Sequence, residues 1–337
     1  MRQQVNPLKL MHVTPLATES FGVRSMCTLV QTPDISILLD AGISVCPWRF
    51  NLPPHPLELQ NIQTLREKIA DAANKAQIVT VSHYHYDHHT PYFEDWIVNW
   101  TTQTKTARQI YQNKILLIKN SKTNINKSQQ ERAETFLKTS AKHAKTIEEA
   151  DNRTFTYGNT KLQFSPAVPH GENNSPMGHV IILTIEYNNE RFMFAPDIQG
   201  PMSNQTQQLI LEKPLSTLMI GGPPFYLQGI RVNDTAIQNA VNNLKDIVKT
   251  VPLTILEHHT LRDEFFQQKI STIKNQAKQA GHDILTAAEY VNKENNFLET
   301  NRKKLYETFP PSKDFQLWIK TLNNINNNKN IKKPPIQ

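Results

Sequence analysis

The densest group of reactive side chains in this sequence lies between Ser82 and His89. Four of the chain's 12 histidines fall within seven consecutive positions there, together with Asp87. In an extended chain, side chains two residues apart point the same way, so His83 and His85 can bind one ion. Imidazole and carboxylate groups suit zinc, iron or manganese. Imidazoles crowded in this way destabilise a fold unless an ion is bound, so the segment predicts a metal site.

The remaining ligands are expected at the ends of other predicted strands, because one loop cannot complete the coordination of an ion. His170 stands between a proline and a glycine after a strand, and Asp197 follows an apolar strand. The pair His258 and His259 follows another buried strand, and Asp40 ends a strand in the same way. Polar residues that end buried strands repeatedly predict a functional site at one edge of the sheets.

Strands and helices are predicted in both halves of the chain, where they would position these side chains. Apolar and β-branched runs interrupted by Gly, Pro, Asn and Asp predict strands. These runs are His12–Leu16, Val23–Val30, Ile35–Leu39, Ile78–Val81, Thr154–Tyr157, Lys161–Phe164, His179–Tyr187, Arg191–Ala195 and Leu253–Leu256. Helical spacing of apolar residues predicts helices after Pro56, from near Asp234, and over Asp263–Ala280, Ala287–Tyr306 and Asp314–Thr321. Strands followed by helices in both halves indicate an α+β fold with two packed sheets and outer helices.

The domain organisation follows from changes in composition along the chain. Residues 1–322 are expected to form a single domain, with a polar, Lys-rich insertion at about 92–150. A helix within that insertion is expected to begin at the capping box formed by Ser128 and Glu131. Residues 323–337 are rich in Asn and Lys, and a flexible basic tail is expected there.

Composition limits the classes of protein and partner. No run approaches the roughly 20 apolar residues of a membrane span, and the N-terminus lacks the apolar core of a secretory signal. Two cysteines without a CxxC motif exclude a disulfide framework, so a cytoplasmic protein without membrane contact is expected. A net charge of +7 would favour an anionic partner such as nucleic acid, although a solvated basic surface is the interpretation we favour.

The order of these motifs resembles the metallo-β-lactamase fold superfamily. The shared pattern is an HxHxDH motif, preceded by a Leu-Leu-Asp-Ala-Gly strand end and followed by isolated His, Asp and His at strand ends. The resemblance spans residues 10–260. Within the superfamily, the sequence most resembles an uncharacterised, mostly archaeal branch of predicted metal-dependent hydrolases. The segments SHYHYDHHTPYF, VPHG, APDIQGP and EHHTLRD carry that closer likeness. It implies an αββα sandwich of two mixed β-sheets with outer helices.

The resemblance also implies a ligand set for two metal ions. One ion would be bound by His83, His85 and His170, and the other by Asp87, His88 and His258, with Asp197 bridging both. His259 is an alternative to His258, which we prefer because Arg262 lies four residues further on.

Other polar residues near these ligands are given supporting roles. Asp40 would orient the histidine segment, since metal ligands need such partners. His89 and His259 would contact the ligands without binding metal, and His179 would either do the same or lie in the core. The histidine at position 85, where the flavin-linked di-iron reductases of this fold have glutamate, argues against that class.

The implied chemistry is hydrolysis by a dinuclear metal-dependent enzyme. Two divalent ions, zinc by first choice and iron or manganese as alternatives, would bridge a water and generate a hydroxide. This hydroxide would attack an ester-type or phosphodiester bond in a small-molecule or anionic substrate. Asp87 and Asp197 are the predicted catalytic carboxylates, and Asp87 would relay the proton of the water.

Three further expectations accompany this interpretation. A nuclease or phosphodiesterase that acts on nucleic acid is the first alternative, and it predicts steep salt dependence of binding. A mononuclear iron dioxygenase is the second, and it would leave Asp87 or His258 without a metal and load one iron. Basic side chains of the 92–150 segment, with Lys119, Lys122 and Lys127 as candidates, are expected to bind an anionic group of the substrate.

Overall fold

Short aliphatic runs in the N-terminal half form a six-stranded sheet in the computed structural model, which describes residues 6–323 and 333–336. Its strands are β1 (His12–Thr18), β2 (Met26–Gln31), β3 (Ser36–Leu39), β4 (Ile78–Val81), β5 (Ile115–Ile118) and β6 (Thr146–Glu149), in that spatial order. β1 to β3 pair antiparallel, whereas β3 to β6 pair parallel. The carboxyl ends of β3, β4 and β5 therefore share one edge of the sheet.

The C-terminal half forms a seven-stranded sheet and a small hairpin. The strands are β7 (Thr154–Tyr157), β8 (Thr160–Phe164), β9 (Val168–Pro169), β10 (His179–Val180), β11 (Leu183–Tyr187), β12 (Glu190–Ala195), β13 (Thr217–Gly221), β14 (Leu253–Glu257) and β15 (Asp283–Leu285). The sheet order is β15-β14-β13-β12-β11-β8-β7, with β9 and β10 paired separately. β12 to β15 are parallel, so their carboxyl ends also share an edge.

Helices cover the outer faces of both sheets. They are α1 (Pro56–Lys75), α2 (Gln103–Tyr111), α3 (Lys127–Lys138), α4 (Asn204–Leu211), α5 (Asp234–Val248), α6 (Phe266–Lys269), α7 (Ser271–Gln279), α8 (Ala287–Tyr290), α9 (Arg302–Thr308) and α10 (Lys313–Asn323). α1, α2, α3 and α10 pack on the first sheet, and α4 to α7 pack on the second. Among the described helices, none has the length and hydropathy that crossing a bilayer requires.

Side chains from both sheets form the central core. Ile37 and Leu39 of β3 face Phe192 and Phe194 of β12 in one buried cluster, whereas Leu38 faces the helices. This alternation follows from the two-residue period of a strand, and it buries both faces of each sheet. The predicted α+β fold, an αββα sandwich of two mixed sheets with outer helices, is confirmed.

The segment 92–150 is not an insertion on the outside of the fold. It supplies β5 and β6 of the first sheet, and Phe136 of α3 is buried in the helix-side core. The four-residue run of β5 gave too weak an apolar signal among polar neighbours to predict a strand. α3 also begins two residues earlier than the capping box predicted, because Asn126 is its N-cap and its side-chain oxygen accepts a hydrogen bond from Gln129 N at 2.8 Å.

One expectation about the C-terminal region differs from the structure, and another falls mostly outside the described residues. The single helix predicted over Ala287–Tyr306 is wrong: α8 and α9 are two short helices with irregular chain between them. Within the predicted tail 323–337, residues 324–332 and 337 lie outside the described residues. The described part of that tail contacts α1, since the Ile336 carbonyl accepts from Gln60 Nε2 at 2.6 Å.

Candidate metal centre

The shared edge of each sheet supplies the predicted site residues. Asp40 follows β3, the histidine segment Ser82–His89 follows β4, Asp197 follows β12, and His258 follows β14. Asp40, Asp197 and His258 have positive φ angles of 45°, 47° and 64°. Left-handed backbone is unfavourable for residues with a side chain, and it persists where surrounding contacts enforce it, often at functional sites.

Asp197 lies at the centre of the site and is 1% exposed. Its Oδ2 is 3.1 Å from Nε2 of both His83 and His170, and 3.2 Å from His88 Nε2. Its Oδ1 is 2.6 Å from His258 Nε2 and 3.2 Å from His259 Nε2. Five imidazoles from three regions of the chain therefore converge on one buried carboxylate.

The donor atoms form two groups of the kind that the resemblance implied. Ligand atoms of His83, His85, His170 and Asp197 lie within 4.8 Å of one another, and so do those of Asp87, His88 and His258. Asp197 joins the groups, since it also clusters with His258 and His259. All seven predicted ligands are thus brought together, and their roles as ligands remain predictions.

The donor set fits metal ions because buried lone pairs in it lack partners. His88 Nε2 and Asp197 Oδ1 are buried and have no hydrogen bond of acceptable geometry. Unpaired buried polar atoms are costly, and a bound cation is a partner that satisfies them. Imidazole and carboxylate donors without thiolate suit zinc, iron and manganese alike.

Polar groups behind the imidazoles fix their orientation. Asp40 Oδ2 lies 2.8 Å from His88 Nδ1, and Glu19 Oε2 lies 2.9 Å from His258 Nδ1. The Gln199 amide lies 3.3 Å from His170 Nδ1. Asp40 also accepts from Ser82 N at 2.8 Å, so it links the histidine segment to the end of β3. Contacts of this kind are typical of metal sites, because they set ring orientation and ligand basicity.

Burial and neighbouring charges lower the pKa of some side chains in the centre and raise the pKa of others. Burial lowers the pKa of His83 far below its usual value, and the neighbouring His88 and His85 lower it further. Burial also disfavours charged His258, but Asp197 and Glu19 outweigh that effect and raise its pKa to about 9. The pKa of Asp87 is lowered because His88 and His258 outweigh its burial. The pKa of Asp197 is lowered as well, because His258, His170 and His88 outweigh its burial, so both carboxylates are ionised at neutral pH.

The structure separates the two adjacent histidines after β14. The Nδ1 of His258 contacts Glu19, while the Nδ1 of His259 lies 3.0 Å from the Tyr226 hydroxyl. Only His258 also approaches Asp87, at 3.8 Å from Nε2 to Oδ2. This placement favours His258 as the ligand and His259 as its neighbour.

The two other supporting histidines have different surroundings. His89 is buried, and its Nδ1 lies 3.0 Å from the carbonyl of His85, within the histidine segment. His179 begins β10, and among the described residues no hydrogen bond, ion pair or ring contact joins it to a predicted ligand. The expected contact between His179 and the ligands is therefore not present in the structure.

Three residues around the centre were not identified from the sequence as parts of the site. Glu19 lies in the 3₁₀ turn Glu19–Phe21, Gln199 lies two residues after Asp197, and Tyr226 lies in the turn Phe225–Leu227. Tyr226 stacks on His259 with ring planes 9° apart. Glu19 had no local signal, because its partners His258 and Arg262 are more than 230 residues away.

A cavity of about 1320 Å³ opens over the centre. His85, Asp87, His170, Asp197 and His259 form part of its wall. The expectation that Lys119, Lys122 and Lys127 bind substrate is wrong. Lys119 is fully buried, where its Nζ donates to the carbonyls of Asn120 and Thr123, and the other two lie outside the cavity wall.

The chain is similar over most of its length to archaeal proteins of one family. It is 40% identical to a UPF0282 protein of Methanocaldococcus jannaschii over 296 residues, which cover 88% of this chain and 96% of the relative. A UPF0282 protein of Methanopyrus kandleri is 38% identical over 295 residues, which cover 88% and 99%. No protein-family profile matches the chain.

Solved structures of similar architecture are more distant. The metallo-β-lactamase fold protein YhfI of Bacillus subtilis is 14% identical, with a TM-score of 0.49 over 82% of this chain and 96% of its own. A metal-dependent hydrolase of the β-lactamase superfamily is also 14% identical, with a TM-score of 0.44 over 82% and 95%.

Proposed function

The chain belongs to the UPF0282 family, and from that premise we propose that it is a hydrolase that binds two divalent metal ions and cleaves ester-type or phosphodiester bonds. The observation that carries the proposal is the convergence of seven imidazole and carboxylate donors, from both sheets, on the buried Asp197. Two groups of donors joined by one carboxylate are the arrangement that a two-metal hydrolytic site requires.

The proposed ligands divide between the two ions according to their grouping. His83, His85 and His170 would hold the first ion, Asp87, His88 and His258 would hold the second, and Asp197 is placed to serve both groups. When bound, such ions lower the pKa of water toward neutrality and polarise the oxygen of the bond under attack.

The chain's own residues then position the water and take its proton. Asp87 is 16% exposed and faces the cavity, while Asp197 is closed off from solvent. The Asp87 carboxylate therefore orients the attacking water and accepts its proton at Oδ2. The Tyr226 hydroxyl lies 3.0 Å from His259 Nδ1 on the cavity wall, where it helps to hold the His259 ring beside the substrate.

Metal content and activity together test the proposal. The protein is expressed and purified without added zinc and its metal content is analysed. It is then assayed against thioester, lactone, phosphodiester and phosphotriester chromogens. We expect two divalent ions per chain and hydrolysis of at least one chromogen. Asp197→Ala should lose metal and about a thousandfold of the activity, since several kcal/mol of transition-state stabilisation depend on the ions.

Asp246→Ala is the matched control, because Asp246 is an exposed carboxylate on α5 whose side-chain partners among the described residues are Lys249 and Gln207 alone. It should keep both ions and full activity. A content of one iron per chain, or activity that survives in Asp197→Ala, would contradict the two-metal hydrolase.

A further inference from the structure

The cavity over the metal centre is basic beyond what the metal ligands require. Two of its arginines are neutralised, Arg24 by Glu299 and Arg262 by Glu19. The other three, named here the free arginines, are Arg49, Arg132 and Arg231. Within residues 6–323 and 333–336, none of them pairs with a carboxylate.

Aromatic rings hold two of the free arginines in place. The Arg49 guanidinium lies 4.9 Å from the Phe50 ring and 5.2 Å from the Tyr226 ring. Its Nη2 donates to the Arg262 carbonyl at 2.9 Å, and its buried Nε has no partner. The Arg132 guanidinium lies 4.9 Å from the Tyr86 ring. A guanidinium held by rings, with unused N–H donors, is suited to bidentate recognition of a phosphate or carboxylate.

The charge balance of the wall indicates a substrate with more than one negative charge. Outside the proposed metal ligands, the exposed Glu172 is the one acidic residue on the described cavity wall that is not already neutralised. Three free guanidinium groups against one carboxylate leave excess positive charge beside the metal centre. A second anionic group on the substrate, away from the bond that is cleaved, would satisfy it.

A flat apolar surface lies on the same wall. Trp48 is 54% exposed although it is large and apolar, and it precedes Arg49 in the chain. Exposed tryptophans beside basic side chains are the usual means by which proteins stack nucleobases, because every base has a flat face. The cavity is also larger than the roughly 300–1,000 Å³ of typical small-ligand sites.

Resting on the proposed hydrolase function, we propose that the substrate is a nucleoside phosphodiester that carries a further phosphate. The base stacks on Trp48, the further phosphate binds the free arginines, and the reacting phosphodiester lies at the metal centre. Water adds to phosphorus, the P–O bond to the leaving alcohol breaks, and the proton of the water goes to the departing oxygen.

Three chromogenic esters with one leaving group test the two contacts separately. They are methyl 4-nitrophenyl phosphate, thymidine 5′-(4-nitrophenyl phosphate), and the latter compound with an added 3′-phosphate. We expect kcat/KM to rise about tenfold with the nucleoside and about tenfold again with the 3′-phosphate. Trp48→Ala should abolish the first gain, and the double variant Arg132→Gln/Arg231→Gln should abolish the second.

Matched variants outside the cavity control for general effects. Phe309 is 59% exposed and Arg108 is exposed without a carboxylate partner among the described residues. Phe309→Ala and Arg108→Gln should therefore keep both gains. Binding of thymidine 3′,5′-bisphosphate, followed by isothermal titration calorimetry, gives a readout without turnover that does not depend on Trp48 as a reporter, and the two cavity variants should weaken it about tenfold.

The outcomes distinguish this proposal from the hydrolase on which it rests. Cleavage of 4-nitrophenyl butyrate without any phosphodiesterase activity would leave the hydrolase intact and overturn the nucleotide assignment. Gains that persist in the cavity variants would overturn it equally. Binding of the bisphosphate without cleavage of either ester class would overturn the hydrolase and support the binding site. Oligothymidylates of two to ten residues distinguish a small nucleotide from the end of a nucleic acid. If kcat/KM stops rising at the shortest lengths, the substrate is a small nucleotide; if it rises with length, the substrate is the end of a nucleic acid.

Discussion

Glu19 shows how a single distant residue organises the metal centre. It contacts His258 through Oε2 at 2.9 Å and Arg262 through Oε1 at 2.8 Å to Nε, and it is 6% exposed. The carboxylate thereby fixes the ring of one proposed ligand and neutralises the arginine beside it. Its effect on metal binding is transmitted through His258, so Glu19 is a positioning residue.

Replacing Glu19 with Gln should weaken binding of the second metal ion by about 10- to 100-fold, because the imidazole of His258 loses its charged partner. Competition with a chromogenic chelator measures the affinity directly. Glu134→Gln, at an exposed position of α3, should leave the affinity unchanged. An unchanged affinity in Glu19→Gln would show that His258 does not bind metal or does not need this contact.

The adjacent histidines after β14 give a second residue-scale prediction. His258→Ala should reduce metal content from two ions to one, because its Nε2 lies between Asp87 and Asp197. His259→Ala should keep both ions, since its Nδ1 contacts Tyr226 and its ring forms the cavity wall. Elemental analysis of both variants decides the matter, and loss of an ion in His259→Ala alone would reverse the assignment.

At the scale of elements, the turn after β3 controls the position of the histidine segment. A Cβ added at Gly42 would lie 2.3 Å from His89 N and 2.4 Å from His88 N, closer than atoms can approach. Both contacts are with backbone, which cannot move aside as a flexible side chain can. The close packing of Gly42 therefore sets the distance between β3 and the proposed ligands.

Gly42→Ala should displace the histidine segment and lower metal affinity by at least about tenfold. Gly281→Ala is the control, because a Cβ there would meet nothing within 4 Å. The backbone at Gly281 has a φ of 78°, which is unfavourable for alanine. That variant should lose about 1 kcal/mol of stability and keep its metal affinity. Equal metal loss in both would mean that destabilisation, and not displacement, is the cause.

The sequence predicted two features best: where buried strands end, and which polar residues follow them. Hydrophobic runs such as Ile78–Val81 have the observed bounds, and the polar residues after them form the centre. β5 was missed because its four apolar residues stand in a polar region, and its assignment depends on pairing with β4. Glu19 and Tyr226 were missed because their roles arise only from tertiary contacts with His258 and His259.

A partly buried ion pair joins the chain after β1 to the C-terminal region. Arg24 donates to both carboxylate oxygens of Glu299 at 2.7 Å. Burial alone would raise the pKa of Glu299, but Arg24 outweighs it and lowers the value from 4.5 to about 2. A carboxylate with a depressed folded-state pKa stabilises the fold above its unfolded pKa, and this contribution is lost as pH falls toward its folded pKa.

The stability difference between the unsubstituted protein and Glu299→Gln should therefore shrink between about pH 4.5 and pH 2. At neutral pH we expect a difference of about 2 kcal/mol. Urea unfolding of both proteins without metal, at several pH values, measures it. A difference that stays constant across that range would show that the pair does not shift the ionisation of Glu299.

At the scale of the whole molecule, the metal centre connects the two sheets. His83, His85, Asp87 and His88 come from the first sheet, and His170, Asp197 and His258 come from the second half of the chain. The unfolded chain does not hold these groups together, so ions bound at the proposed centre would stabilise the folded state. Their removal also leaves buried donors without partners.

Chelation of the ions should lower the midpoint of thermal unfolding, by an amount that grows with the concentration of free metal in the reference sample. At a thousandfold excess over Kd, the loss is about 4 kcal/mol. Asp197→Ala should show a much smaller difference between chelated and metal-loaded samples. Calorimetry measures both, and an equal difference in the two proteins would place the stabilising ions elsewhere.

Left-handed backbone at Asp40, Asp197 and His258 sets a cost on this architecture. Glycine would adopt these conformations freely, yet each position carries a side chain that the centre uses. A variant with glycine there would relax its backbone and become inert. At this edge of the sheets, substitutions that raise thermal stability are therefore expected to lower activity. Stabilising substitutions have to be placed at positions remote from it.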